Sequence, residues 1–150
     1  MNHPWTAHYP AGIPAEINPD TFASIPALFD EVAKTHGSRT AFVCLRKGIS
    51  YKEVNALSTR FAGYLQSLGL EPGDRVAVMM PNLTQYMIAL LGILRAGLIA
   101  VNVNPLYTAH ELAHQLKDSG AKAVVIIENF AKTLETALPE TEVKHIITTK

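Results

Sequence analysis

From Arg75 onward, short apolar runs alternate with capped, amphipathic stretches, and this alternation constrains the fold more than any other feature. The runs 75–80, 98–103, 123–127 and 143–148 have strand length. The stretches between them open on Asn82, on the pair Thr108 and Glu111, and on Asn129. Thr108 and Glu111 have capping-box spacing. Gly97 and Gly120 stop the first two helices, and the third ends before Pro139. Strands separated by helices imply parallel pairing through right-handed crossovers. Val76-Ala77-Val78-Met79 and Val124-Val125-Ile126-Ile127 are apolar on both faces, as a sheet covered on both sides requires. The helix expected over 83–96 is apolar almost all round, which predicts burial between the sheet and a second layer.

The segment before this alternation differs. Pro4, Pro10, Pro14 and Pro19 forbid a regular element over residues 1–24, so an extended arm is expected, pinned by Trp5, Tyr9 and Ile13. Ser24 caps a helix carrying Ile25, Leu28, Phe29, Val32 and Ala33, which Gly37 stops. A hairpin follows, with strands over 40–45 and 49–51 around the turn Arg46-Lys47-Gly48. Ser50 and Glu53 again have capping-box spacing and open a helix that ends at Gly69. The expectation is thus an α/β fold: a mostly parallel sheet covered on both faces, a short hairpin, and a proline-rich arm. The arm covers 1–24 and the α/β portion 25–150.

Composition excludes several functions. Thirteen basic and thirteen acidic side chains balance, and no basic stripe offers a footprint for nucleic acid. The longest apolar run, 87–94, falls far short of the roughly 20 residues a membrane helix needs. The single cysteine, Cys44, cannot form an internal disulfide, which suits a reducing compartment. Its place in an apolar strand suits an inert core thiol. The start, Met1-Asn2-His3-Pro4-Trp5, shows no secretory leader.

Ligands of open parallel sheets sit beyond the carboxyl ends of the strands. The strand-to-helix turns Met80-Pro81-Asn82, the run from Val103 to Thr108, and Glu128-Asn129 hold neither a Gly-x-Gly-x-x-Gly fingerprint nor a phosphate loop. Asn82, Asn104 and Tyr107 are candidates for a pocket rim. No serine nucleophile elbow and no local carboxylate pair occurs. His110-Glu111-Leu112-Ala113-His114 matches His-Glu-x-x-His, so a zinc peptidase with His110 and His114 as ligands and Glu111 as base is an alternative. Against it, Glu111 already faces Thr108, and no local segment offers a third ligand. A non-catalytic α/β binding module is the other alternative.

The run Gly73-Asp74-Arg75-Val76-Ala77-Val78-Met79-Met80-Pro81-Asn82 resembles the acyl-CoA synthetases of the adenylate-forming, AMP-binding superfamily. So do Leu91-Gly92-Ile93-Leu94-Arg95-Ala96-Gly97 and Val101-Asn102-Val103-Asn104-Pro105-Leu106-Tyr107-Thr108. The likeness is greatest to the bacterial long-chain fatty acid–CoA ligases. It takes in the arm from Tyr9 to Ile17, Ser50-Tyr51-Lys52-Glu53, Asp118-Ser119-Gly120-Ala121 and the stretch from Val143 to Ile147. Ala109 and His110 depart from the family pattern, which usually has a proline and a basic residue there. The family resemblance makes the zinc-like spacing an accident of His110.

The resemblance implies a two-step reaction. A fatty acid and ATP give an acyl-adenylate and pyrophosphate with Mg2+, and CoA then displaces AMP. The family's Ser/Thr/Gly/Lys loop, downstream glutamate and mobile lysine have no counterpart among residues 1–150. No catalytic, cofactor-binding or metal residue is therefore assigned, and the chain alone is expected to be inactive. Expected partners of the parent are fatty acid, ATP and CoA, in the cytoplasm or peripheral to the inner face of the cell membrane. Self-association is expected through the 83–96 helix face, the 143–148 strand edge, or both.

Overall fold

The computed structural model describes residues 3–150. Its elements are α1 (Ile25–His36), β1 (Thr40–Cys44), β2 (Lys47–Ser50), α2 (Tyr51–Ser67), β3 (Arg75–Met79), α3 (Thr84–Arg95), β4 (Ile99–Val103), α4 (Ala109–Ser119), β5 (Ala121–Ile127), α5 (Ala131–Ala137) and β6 (His145–Thr149). Strands β3 to β6 form a parallel sheet in the order β4-β3-β5-β6, and β1 with β2 forms a separate antiparallel hairpin. The chain leaves β3 for β4 on one side, then returns past β3 to β5. The point of reversal lies between β3 and β5.

Alternation along β3 divides the core into two layers. Val76 and Val78 join Leu65, Ile93 and Val125 under α2 and α3. Ala77 and Met79 join Leu112, Leu116, Val124 and Ile126 under α4 and α5. The expected two-sided cover of the sheet is therefore present. Helix α3 lies between the sheet and α2, which explains its missing polar face. Cover for the carboxyl half of that helix comes from within the chain, where Leu91, Gly92 and Ile93 are buried, while residues 83–88 are half-buried and line two open grooves. The approach of α2 is close: a Cβ on Gly92 would lie 2.6 Å from a ring carbon of Phe61 and 3.1 Å from the Ser58 carbonyl oxygen.

Three capping expectations hold. Ser24 accepts from the Ala27 N–H, and complete capping boxes form at Ser50 with Glu53 and at Thr108 with Glu111. Two fail. Leu83, not Asn82, precedes α3, because a turn from Leu83 N–H to the Pro81 carbonyl delays the helix. Asn129 sits inside a 3-10 turn, Glu128–Phe130, and leaves Phe130 at the cap position of α5. The hairpin also turns earlier than expected, at Leu45 and Arg46, both with positive φ (49° and 65°). That is the two-residue turn that matches strand twist, formed without the asparagine or glycine that favours it.

The arm is not wholly extended. Pro4–His8 and Pro19–Thr21 are 3-10 turns, each with proline in the first turn, where its missing N–H costs nothing. Trp5 and Ile13 are each 56% exposed, so they do not pin the arm. Cys44 is half-buried at the end of the hairpin, outside both core layers.

The sheet's amino end carries one strong polar contact. Asp74 accepts from Lys122 Nζ at 2.6 Å and from the Glu71 N–H, tying the turn before β3 to β5. The Lys122 ammonium foremost, then the Glu71 N–H, holds the Asp74 carboxyl below its ordinary range. The folded value lies below the unfolded one, so this contribution is complete above the ordinary value of about 4 and fades as pH falls through the lower folded value. Asp74→Asn is expected to lower the melting temperature at neutral pH and to flatten the acid limb of the stability curve below about pH 4. Thermal unfolding at a series of pH values checks this.

Candidate functional site

The carboxyl edge of the sheet is where this topology places a ligand. At the reversal between β3 and β5, on the α3 side, lies an open groove of about 220 Å³. Phe61, Met80, Ile88, Ala89, Val125 and Ile147 make its walls, with Gln85, Thr148 and Thr149 as the polar groups. Gln85 Nε2 donates to the Lys150 carbonyl at 3.1 Å. The lining includes no charged side chain. Such a surface suits an apolar group with a few neutral hydrogen bonds. Gln85 had a visible signal, as a long polar residue opening an apolar helix. The threonines had none, because their position depends on the β5–β6 register.

The three candidate rim residues sit at this edge but on different surfaces. Asn82 is exposed and lines a groove between the hairpin and α3, with Cys44 and Met87. Asn104 turns onto its own loop: its Oδ1 accepts from the Leu106 N–H at 3.0 Å. Tyr107 is half-buried against the α4 layer and borders a groove with His114, Gln115 and Asp118. Next to them, the Tyr86 hydroxyl donates to Asn102 Oδ1 at 2.8 Å.

His110, Glu111 and His114 all lie exposed in the first turns of α4. Glu111 Oε2 accepts from both the N–H and the hydroxyl of Thr108 at 2.8 Å. These bonds, with the adjacent His110 as a smaller influence, hold the Glu111 carboxyl below its usual range. A general base near neutrality needs a shift in the other direction. Among the described residues, no three His, Cys, Asp or Glu side chains are grouped to hold a metal. The geometry therefore gives Glu111 a capping role. Thr108→Ala is expected to cost about 1 kcal/mol, whereas His114→Ala should leave urea unfolding unchanged. Stoichiometric zinc lost on His114→Ala would contradict this.

Residues 29–150 match the family model of the AMP-binding enzymes. The chain belongs to that family. Over its whole length this AMP-binding chain is 52% identical to a long-chain-fatty-acid–CoA ligase of Salmonella typhimurium, of which it covers 27%. It is 37% identical to the Bacillus subtilis ligase of the same name over 83% of the chain, covering 22% of that protein. The chain thus spans about a quarter of the length of the curated relatives it matches. Among solved structures, a Mycobacterium tuberculosis fatty acyl CoA synthetase superposes with a TM-score of 0.77 at 30% identity, over 83% of this chain and 26% of that one. A long-chain-fatty-acid-CoA ligase from Archaeoglobus fulgidus superposes at 0.84 over 94% of this chain and 30% of its own, and at 24% identity it supports the fold alone. No helix among the described residues is long and apolar enough to cross a membrane.

Proposed function

We propose that this AMP-binding chain is the first α/β portion of a long-chain fatty acid–CoA ligase and is inactive by itself. The observation that carries the reading is the 52% identity to the Salmonella ligase across the whole chain, arm included. In the reaction of such a ligase, a fatty acid carboxylate attacks the α-phosphorus of ATP and the bond to pyrophosphate breaks. The CoA thiolate then attacks the acyl carbonyl and expels AMP. The first step requires groups that stabilise charge on the leaving pyrophosphate.

The residues present do not fit that task. The groove at the strand reversal is lined by apolar and neutral side chains, with neither a cation for phosphate nor a carboxylate for Mg2+. ATP, Mg2+ and CoA are therefore assigned to the whole protein, and no step is routed through this segment. Its proposed part is a scaffold, with Asn82, Asn104 and Tyr107 at the rim of the completed site. A cytoplasmic location, with any membrane contact peripheral to the inner face, belongs to the same reading.

The reading frame that encodes the chain tests this. Past the codon for Lys150 it should continue into a loop rich in serine, threonine and glycine that ends on a lysine. A stop codon there in the natural gene would overturn the reading.

A further inference from the structure

The hairpin of β1 and β2 breaks three local rules at one place. Leu45 and Arg46 make its two-residue turn with positive φ, a conformation that favours glycine or asparagine. Leu45 is 87% exposed, the most of any large apolar side chain among the described residues. Phe42 and Cys44 are half-buried toward a groove with Met87 of α3, and Val43, between them, takes the opposite face. There it is 68% exposed, and its ladder partner Gly48 has no side chain to cover it. A strand face open to water ordinarily carries polar groups. Local rules broken together, where Asn-Gly at the turn would relieve the strain, point to a function at that place. All three features are set by pairing within residues 40–50. Charge adds a fourth observation. From Val32 to Lys52 the chain holds Lys34, Arg39, Arg46, Lys47 and Lys52 and no aspartate or glutamate, although charge balances over the whole. Arg46 and Lys47 stand exposed beside Leu45, and neither joins an ion pair among the described residues.

We propose that the tip of the β1–β2 hairpin is a docking point for the anionic surface of a lipid bilayer. Leu45 and Val43 enter the boundary between headgroups and acyl chains, and Arg46 and Lys47 meet the lipid phosphates. Both cations have apolar stems and charged heads, which suits them to flank an inserted apolar tip. The turn serves this contact, because it closes the hairpin tightly and gives both tip positions to a leucine and an arginine. A neutral protein groove would use Leu45 alone, whereas the acid-free run of cations matches a surface that is anionic throughout. One apolar tip with two cations gives weak, reversible attachment. The proposal rests on the proposed function only for its peripheral membrane contact. Its readout is vesicle binding, so it can fail while the ligase reading stands.

Co-sedimentation with vesicles tests the proposal, using the protein encoded by the full natural reading frame. The vesicles are phosphatidylcholine alone and phosphatidylcholine mixed with phosphatidylglycerol. Binding to the mixed vesicles is expected, and it should weaken as salt rises. Arg46→Glu with Lys47→Glu should weaken it at least about tenfold. Leu45→Asn with Arg46→Gly supplies the turn with the residues it favours. That variant should melt at a higher temperature and yet bind the mixed vesicles at least about tenfold more weakly. A better-folded variant that binds less separates docking from stability. No binding to the mixed vesicles would overturn the proposal. So would equal binding to phosphatidylcholine alone, or binding that either double variant leaves unchanged.

Discussion

Ile93→Asp is expected to leave the chain unfolded. Ile93 is fully buried in the layer between α2, α3 and the sheet, among Leu65, Val76, Val78 and Val125. That layer holds no cation to pair with a new carboxylate. Burial of an unpaired charge costs several kcal/mol, and loss of the isoleucine adds a packing defect of about 2–5 kcal/mol. Together these approach the whole stability of an ordinary domain, about 5–15 kcal/mol. Leu90→Asp, one turn earlier on α3, should be milder because Leu90 is only half-buried. Soluble yield and far-ultraviolet circular dichroism decide the matter. A folded Ile93→Asp protein with an unchanged melting temperature would contradict the position given to α3.

Arg95→Met is the second large effect. The Arg95 side chain is 12% exposed and reaches three partners on two helices. It donates from Nε to Ser58 Oγ at 3.1 Å, and from one terminal nitrogen to Asp30 Oδ1 at 2.7 Å and to Asn55 Oδ1. Ser58 is fully buried, so removal of the guanidinium leaves a buried hydroxyl with fewer bonds. Asp30 is half-exposed, and water screens its share. The expected loss is roughly 2 kcal/mol, or about 4–8 °C in melting temperature. Arg95→Lys should recover only part, since one ammonium cannot reproduce the planar fork that reaches α1 and α2 together.

These two residues mark the limits of what the sequence made legible. Alternation and capping signals located every element from α1 to β6, because helix caps and strand length are local properties. The near all-round apolarity of the helix around Ile93 correctly implied two-sided burial. It also suggested an open apolar face: α2, some thirty residues earlier, covers the carboxyl half, residues 83–88 still line open grooves, and periodicity carries no information on which helix covers which. Asn82 and Asn129 failed as caps for a similar reason, since a preceding turn displaces each helix start by one residue. Arg95 stood inside a recognised motif, yet its partners on α1 and α2 were invisible until the helices were placed. At the carboxyl edge the turns were located correctly. Their side chains disperse onto separate surfaces, because Asn104 folds onto its own loop while Tyr107 packs toward α4. The His-Glu-x-x-His spacing was legible from the start, and so was the capping bond that gives Glu111 another role.

The central claim, that this AMP-binding segment is a portion of a fatty acid–CoA ligase and lacks the groups for chemistry, reduces to one assay with two arms. The purified 150-residue chain and the protein encoded by its full natural reading frame receive ATP, Mg2+, palmitate and CoA, and pyrophosphate release is followed. The account predicts release with acyl-CoA formation in the full-frame arm and none above background from the chain alone. Pyrophosphate formed by the purified chain, abolished by a substitution within residues 1–150, would contradict it.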